Sequence, residues 1–175
     1  MIIWAKLEAE TFNFLDGQKS KGTEDSAQFF ADSYHEVVTT AMDPMGNLVV
    51  LKKKDILYKA WMQVFGTQLA SPKDLKSIPY NFIGLALIKY WTGNIVSPLI
   101  PHPGAATGTL NVITFPGNPI PVGKGIYDAF KQKKAAKVAS ELVKVYQDHV
   151  KTIQGLFTGI TPAPSPIVVP WSGLN

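Results

Sequence analysis

"YDAFKQKKAAKVASELVKVYQDHVKTIQGLF", residues 127–157, decides how much of this chain is helix. Ala135, Ala139, Leu142, Tyr146, His149, Ile153 and Leu156 recur in it at alternating four- and three-residue steps. That spacing aligns side chains on one narrow helical face, close to the heptad seam of a coiled coil. Lys131, Lys134, Lys137, Lys144 and Lys151 fall outside the seam, where their charges stay in water. The pattern predicts one helix over about 127–157, ended by Gly155 and Gly159.

The next stretch, "ITPAPSPIVVPWSGLN" (160–175), reverses the character of the chain. Pro162, Pro164, Pro166 and Pro170 forbid a helix. Ile167, Val168, Val169 and Trp171 are poor material for a solvated linker. An extended tail that needs burial is expected.

Working back towards the N-terminus, residues 1–15 read as an apolar-rich arm or short helix carrying Trp4, Leu7, Phe12 and Phe14. A polar loop follows, and Thr23 is placed to cap the next helix, with Glu24 and Asp25 at its positive end. Ala27, Phe30, Ala31, Tyr34, Val37, Val38 and Ala41 form its apolar stripe, which "DPMGN" stops at Asp43. "LVVL" (48–51) reads as a strand or as the approach to a second amphipathic helix over about 53–69, with Ile56, Leu57, Ala60, Trp61, Val64 and Phe65. A third helix is expected over about 75–92, capped at Ser77, with Pro79 in its first turn. Phe82, Ile83, Leu85, Leu87, Ile88, Tyr90 and Trp91 surround its axis, so it should be packed on most sides. From Thr92 to Gly125 the chain is rich in proline and glycine, with "TLNVITF" (109–115) as its strand candidate.

These readings give a mainly α fold: a four- to five-helix body with long extended Pro/Gly-rich segments and at most a small hairpin. The organisation is an N-terminal arm and loop (1–22), a helical domain (23–159) with an extended insertion at about 93–125, and a C-terminal tail (160–175). A length of 175 residues suits one domain with arms.

Composition excludes several classes. All 17 basic residues are lysine, and the formal net charge is +4. Without arginine the chain lacks the planar fork that reads phosphate and guanine in pairs, so no specific nucleic-acid partner is expected. Cysteine is absent, which removes disulfides, thiolate metal sites and a thiol nucleophile. "PYNFIGLALIKYWTGNIVSPLIP" (79–101) nearly reaches spanning length, but Lys89 sits near its middle and Pro98 follows; no membrane span is expected. The first 17 residues lack a small-residue cleavage site, so no secretory signal is read there.

No catalytic pattern assembles. His35-Glu36 is followed by Val37, Val38 and Thr39, not by the spacing of a zinc protease. His149 lies on the helical seam and His102 between two prolines, a core contact and a loop contact respectively. "GNPIPVGKG" (117–125) resembles a phosphate loop, yet its spacing is one residue too long and Gly125 replaces the magnesium-binding hydroxyl. Pro119 and Pro121 also remove amide donors that the cradle needs. The chain is read as not an enzyme, with no cofactor and no metal.

Trp4 and Trp171 stand within a few residues of the termini, in apolar segments. Buried tryptophan is a typical interface anchor, and a proline-stiffened arm loses little freedom on binding. Trp4, Phe115, Pro166, Val168 and Trp171 are therefore the expected contacts with neighbouring subunits.

"FADSYHEVVTTAMDPMGN" (30–47), "GLALIKYWTG" (84–93), "VITFPGNPIPV" (112–122) and "VPWSGLN" (169–175), taken in order, resemble small virion proteins of tailed bacteriophages. The shared features are a helix with A-x-x-Y-x-x-V spacing, a YWTG helix end, a PG loop and a proline-rich C-terminus. The resemblance implies a structural or adaptor role in a tail, baseplate or neck, hence a place in the virion, and it carries over no functional residue. Its partners would be other protein subunits, including further copies of itself. Two other classes stay open: a small enzyme or ligand-binding domain with the Pro/Gly-rich loop as lid, and a lysine-driven binder of DNA or membrane surface.

Overall fold

The computed structural model describes residues 1–17, 22–50, 53–70, 77–97, 107–161 and 165–175. Its helices are α1 (Trp4–Asp16), α2 (Thr23–Val38), α3 (Lys54–Ala70), α4 (Ile78–Trp91), α5 (Pro119–Phe130) and α6 (Ala135–Lys151). Its strands are β1 (Leu48–Val49), β2 (Val96–Ser97), β3 (Thr107–Phe115), β4 (Gln154–Ile160) and β5 (Pro166–Ser172). The fold is mainly α, as the periodicities imply. The described residues form six helices, however, not four or five, and the sheet is larger than a hairpin.

Successive helices are neighbours from α2 through α6, and α1 packs against both α2 and α6, so the helices close a circuit around one core. Phe30 is the hub of one aromatic cluster, 4.8 Å from Trp61 and 5.5 Å from Phe130 by ring centroids. Tyr34 is the hub of another, 4.6 Å from Tyr146 and 5.8 Å from Tyr90. The buried stripe expected on α2, from Ala27 to Ala41, is buried throughout.

The expected helix over 127–157 is three elements. Residues 131–134 (KQKK) turn the chain between α5 and α6. Each helix has its own apolar stripe, Val122, Ile126 and Ala129 on one and Val138, Leu142, Tyr146 and Val150 on the other, and a turn lets both face the core. After Lys151 the period changes to two: Gly155, Phe157 and Gly159 are buried while Gln154 and Ile160 are exposed. The two glycines therefore do not end a helix. They sit inside β4, and a Cβ on Gly155 would overlap the Trp171 indole.

The insertion at 93–125 also differs from expectation, because α5 begins within it at Pro119. Both prolines stand in the first turn, where a missing amide costs nothing, and Asn118 caps the helix by accepting from the Ile120 amide at 3.1 Å. "TLNVITF" is strand, extended at its front to Thr107. On α2, Gly22 occupies the cap position instead of Thr23, and no side chain caps it. Nor does the Ser77 side chain cap α4. That helix is not packed on most sides either: Ile78, Phe82 and Leu85 are exposed along one stripe.

β3, β4 and β5 form an antiparallel sheet in that order, and β1 pairs with β2 in a short ribbon. An isolated bridge between Ile95 and Val112 joins the ribbon's end to β3. None of the described helices is long and apolar enough to cross a membrane.

Candidate functional site

Both chain ends dock on their own molecule. The C-terminal anchor starts in the "DPMGN" turn, where Asp43 Oδ1 accepts from the amides of Met45 (2.9 Å) and Asn47 (2.8 Å). This is the local pairing that aspartate offers a turn. Asp43 Oδ2 accepts from the side-chain amides of Asn47 (3.0 Å) and Asn111 (2.8 Å). Asn111 Oδ1 in turn accepts from the Trp171 indole N–H at 2.7 Å. Asp43, Asn47, Asn111 and Trp171 are all buried, and four donors offset the desolvation of the carboxylate. The backbones of Met42 and Asn175 exchange a pair of hydrogen bonds at 3.0 and 2.9 Å, which fixes the last residue beside the turn. At the other end, the Met1 ammonium donates to the Thr40 carbonyl at 3.1 Å and Ile2 is buried.

The five expected contact residues separate accordingly. Trp171 is 7% exposed and belongs to the core of its own chain; Trp4 is half-buried against that core. Pro166 and Val168 are exposed on the sheet. Phe115, at the end of β3 opposite Gln154, is exposed too.

Register shows what surrounds Pro166 and Val168. Directly paired residues share a face of a sheet. Ile95, Val112, Leu156 and Pro170 are paired in succession across the sheet and its bridge. Leu110, Thr158 and Val168 form the next row, and Ile160 with Pro166 the last. Gln154, paired with Phe115 and Ser172, continues the same face beyond Leu156. Among the described residues this face has no ionisable side chain, and its polar members are Gln154, Thr158 and Ser172. Its exposed members include Ile95 (54%), Leu110 (50%), Ile160 (47%) and Val168 (58%). The opposite face, with Asn111, Ile113, Gly155, Phe157 and Trp171, is buried on the helices. Sequence reading missed this face because β4 was assigned to a helix. In "QGLFTGI" (154–160) burial alternates but hydropathy does not, because Leu156 and Phe157 stand side by side and point to opposite faces.

The edge of the same sheet is blunted. β5 is an outer strand, and Pro166 and Pro170 lack the amides that an added strand would pair with. On the β5 side, therefore, the surface offered is a face, not an edge.

Among the described residues, other ionisable side chains pair in local contacts between helices. His35 Nδ1 and the Tyr90 hydroxyl are hydrogen-bonded at 2.7 Å. Burial, reinforced by the Lys54 cation, holds His35 below the usual imidazole range despite Asp32 nearby. Burial raises the Asp32 carboxyl, but hydrogen bonds from Lys54 and Gln28 outweigh it and leave Asp32 below the usual carboxylate value. Lys54 and Asp32 tie α3 to α2 at 2.8 Å, and Lys6 ties α1 to α2 by pairing with Glu36. The third histidine, His102, lies outside the described residues. Among the described residues, no group of three or more histidine, aspartate or glutamate side chains is arranged to hold a metal ion.

Comparison with protein-family models, with curated proteins and with solved structures gave no match.

Proposed function

We propose that this chain is a structural or adaptor subunit of a larger assembly, and that it meets neighbouring subunits through the outer face of its three-stranded sheet. The observation that carries this reading is that face: largely apolar, without an ionisable group among its described residues, and half exposed at Ile95, Leu110, Ile160 and Val168. Contiguous exposed apolar surface of this kind marks sites of protein association. The setting is the one the sequence resemblance implies, a virion of a tailed bacteriophage, with tail, baseplate and neck as candidate positions.

The arms do not serve as free tethers in this reading. Trp4 and Trp171 brace the body, while Pro166 and Val168 present themselves on a rigid strand. Rigidity favours association, because less freedom is lost on contact.

The test places charge on the face without touching the core. Leu110→Asp combined with Val168→Asp should unfold at about the wild-type denaturant concentration. It should also lose concentration-dependent association in sedimentation velocity and fail to enter sedimenting particles. Unchanged association and incorporation by the double variant would overturn the reading.

A further inference from the structure

A cavity of about 370 Å³ opens between the N-terminal half of α5, the C-terminal half of α6 and the end of β3. That volume falls within the range of small-molecule pockets. Its floor is Val122, Val145 and the His149 ring, with Val122 and His149 almost fully buried. Phe115, Asn118, Pro121, Asp148 and Thr152 form the exposed rim.

The loop that closes one side is fixed in place. His149 Nε2 donates to the Pro116 carbonyl at 2.8 Å, since a carbonyl can only accept. Gly117 has a φ of 98°, and a Cβ there would lie 2.7 Å from the His149 ring, so only glycine lets the loop approach so closely. Asn118 then starts α5 through its cap. The wall is therefore formed before any ligand arrives.

The floor has little to offer water. The Nε2 proton of His149 is already used, and the Thr152 hydroxyl donates to the His149 carbonyl at 2.7 Å. A confined water needs two to four polar partners, and displacing a poorly bonded one by an apolar group is favourable. His149 Nδ1 is buried without a hydrogen-bond partner, so a second proton there would have no acceptor, and burial holds the imidazole below its usual range. The ring, and with it the floor, is uncharged at neutral pH. Asp148, the ionisable group among the described rim residues, faces solvent with 64% of its side chain exposed.

We infer that this cavity is a binding site for an uncharged, ring-sized apolar group whose polar edge, if it has one, stays at the Asn118–Asp148 rim. A free small molecule and an aromatic side chain displayed by another polypeptide share this chemistry. The site is separate from the sheet face and stands or falls without it.

The probes are indole, for a free ring, and N-acetyl-tryptophanamide, for the same ring on a peptide backbone. Each is titrated into the full chain, with valine methyl resonances as the readout. Indole should shift Val122 and Val145 saturably while leaving Val49 and Val168 unmoved. Saturation by N-acetyl-tryptophanamide as well assigns the site to a displayed side chain; saturation by indole alone assigns it to a free molecule. Pro121→Trp, and independently Asp148→Trp, should fill the mouth and weaken indole binding at least tenfold with unfolding otherwise as in wild type. The inference is overturned if neither probe gives saturable shifts up to its solubility. It is equally overturned if a folded blocking variant binds indole as well as wild type does.

Discussion

The Trp171 indole N–H is bonded to Asn111 Oδ1 at 2.7 Å, so a residue four from the C-terminal end completes a buried polar chain that begins at Asp43. The tail is thus an internal strap. Trp171→Phe keeps most of the packing but leaves Asn111 Oδ1 buried without its donor, at a cost of about 1–3 kcal/mol. Trp171→Ala adds a cavity and should cost about 3–5 kcal/mol. Deleting residues 161–175 should melt the isolated protein, because it exposes Phe157 and the inner face of β4 as well. Chemical denaturation reads all three, and a truncated chain with wild-type helical signal and midpoint would refute the strap.

Gly155 and Trp171 are paired across β4 and β5, and a Cβ on Gly155 would overlap the indole ring. Gly155→Ala should therefore destabilise by about 1–3 kcal/mol through overpacking. In a Trp171→Ala background the overlap is gone, and the same change should cost less than half as much. A double-mutant cycle measures the difference; strict additivity would mean that the two residues are not in contact.

Asp43 accepts four hydrogen bonds from nitrogen donors, two of them from backbone amides. Asp43→Asn substitutes an amide that can accept at only one end, so its NH₂ must face existing donors. A loss of about 2–4 kcal/mol is expected, above the value of a single charge-assisted bond. Hydrogen exchange localises it: the amides of Asn47 and Asn175 should lose protection together, since one bonds to Asp43 itself and the other to its neighbour Met42.

How much of this was legible in the sequence depended on which kind of burial each segment has. α2 and α3 bury one stripe each, and their three- and four-residue steps were readable. α4 was located correctly, but its all-round apolar character concealed an exposed stripe at Ile78, Phe82 and Leu85. Around 127–157 the seam spacing continued by coincidence through Ile153 and Leu156, so a strand was absorbed into a helix. Once β4 was lost, the tail had no visible partner and Trp171 looked free to anchor elsewhere. Pro166 and Val168 were read as contacts with neighbouring subunits, whereas the surface they share with Leu110 and Ile95 depends on strand register. Which side chains share a face follows from strand pairing, and that pairing was hidden once β4 was read as helix. The cavity beside His149 was illegible because its walls come from three separate elements.

The final prediction concerns acid. Burial, only partly offset by the Pro116 carbonyl, holds His149 below the usual imidazole range, and His35 is depressed as well. For His149 the cause extends to geometry: the second proton would go on Nδ1, which is buried without a hydrogen-bond partner. Both imidazoles take up a proton more readily in the unfolded chain, so unfolding binds protons and stability rises with pH. The contribution is fully present above about pH 6.5, the unfolded histidine value, and is lost as pH falls from there towards the depressed folded values. Urea midpoints measured from pH 7.5 to 5.5 should therefore decline before carboxylates begin to titrate. His149→Gln, which can still donate towards Pro116 but cannot become charged, should flatten that decline while lowering the neutral-pH midpoint. A wild-type midpoint that stays level across this range, or a variant with an unchanged slope, would show that His149 does not carry the linkage.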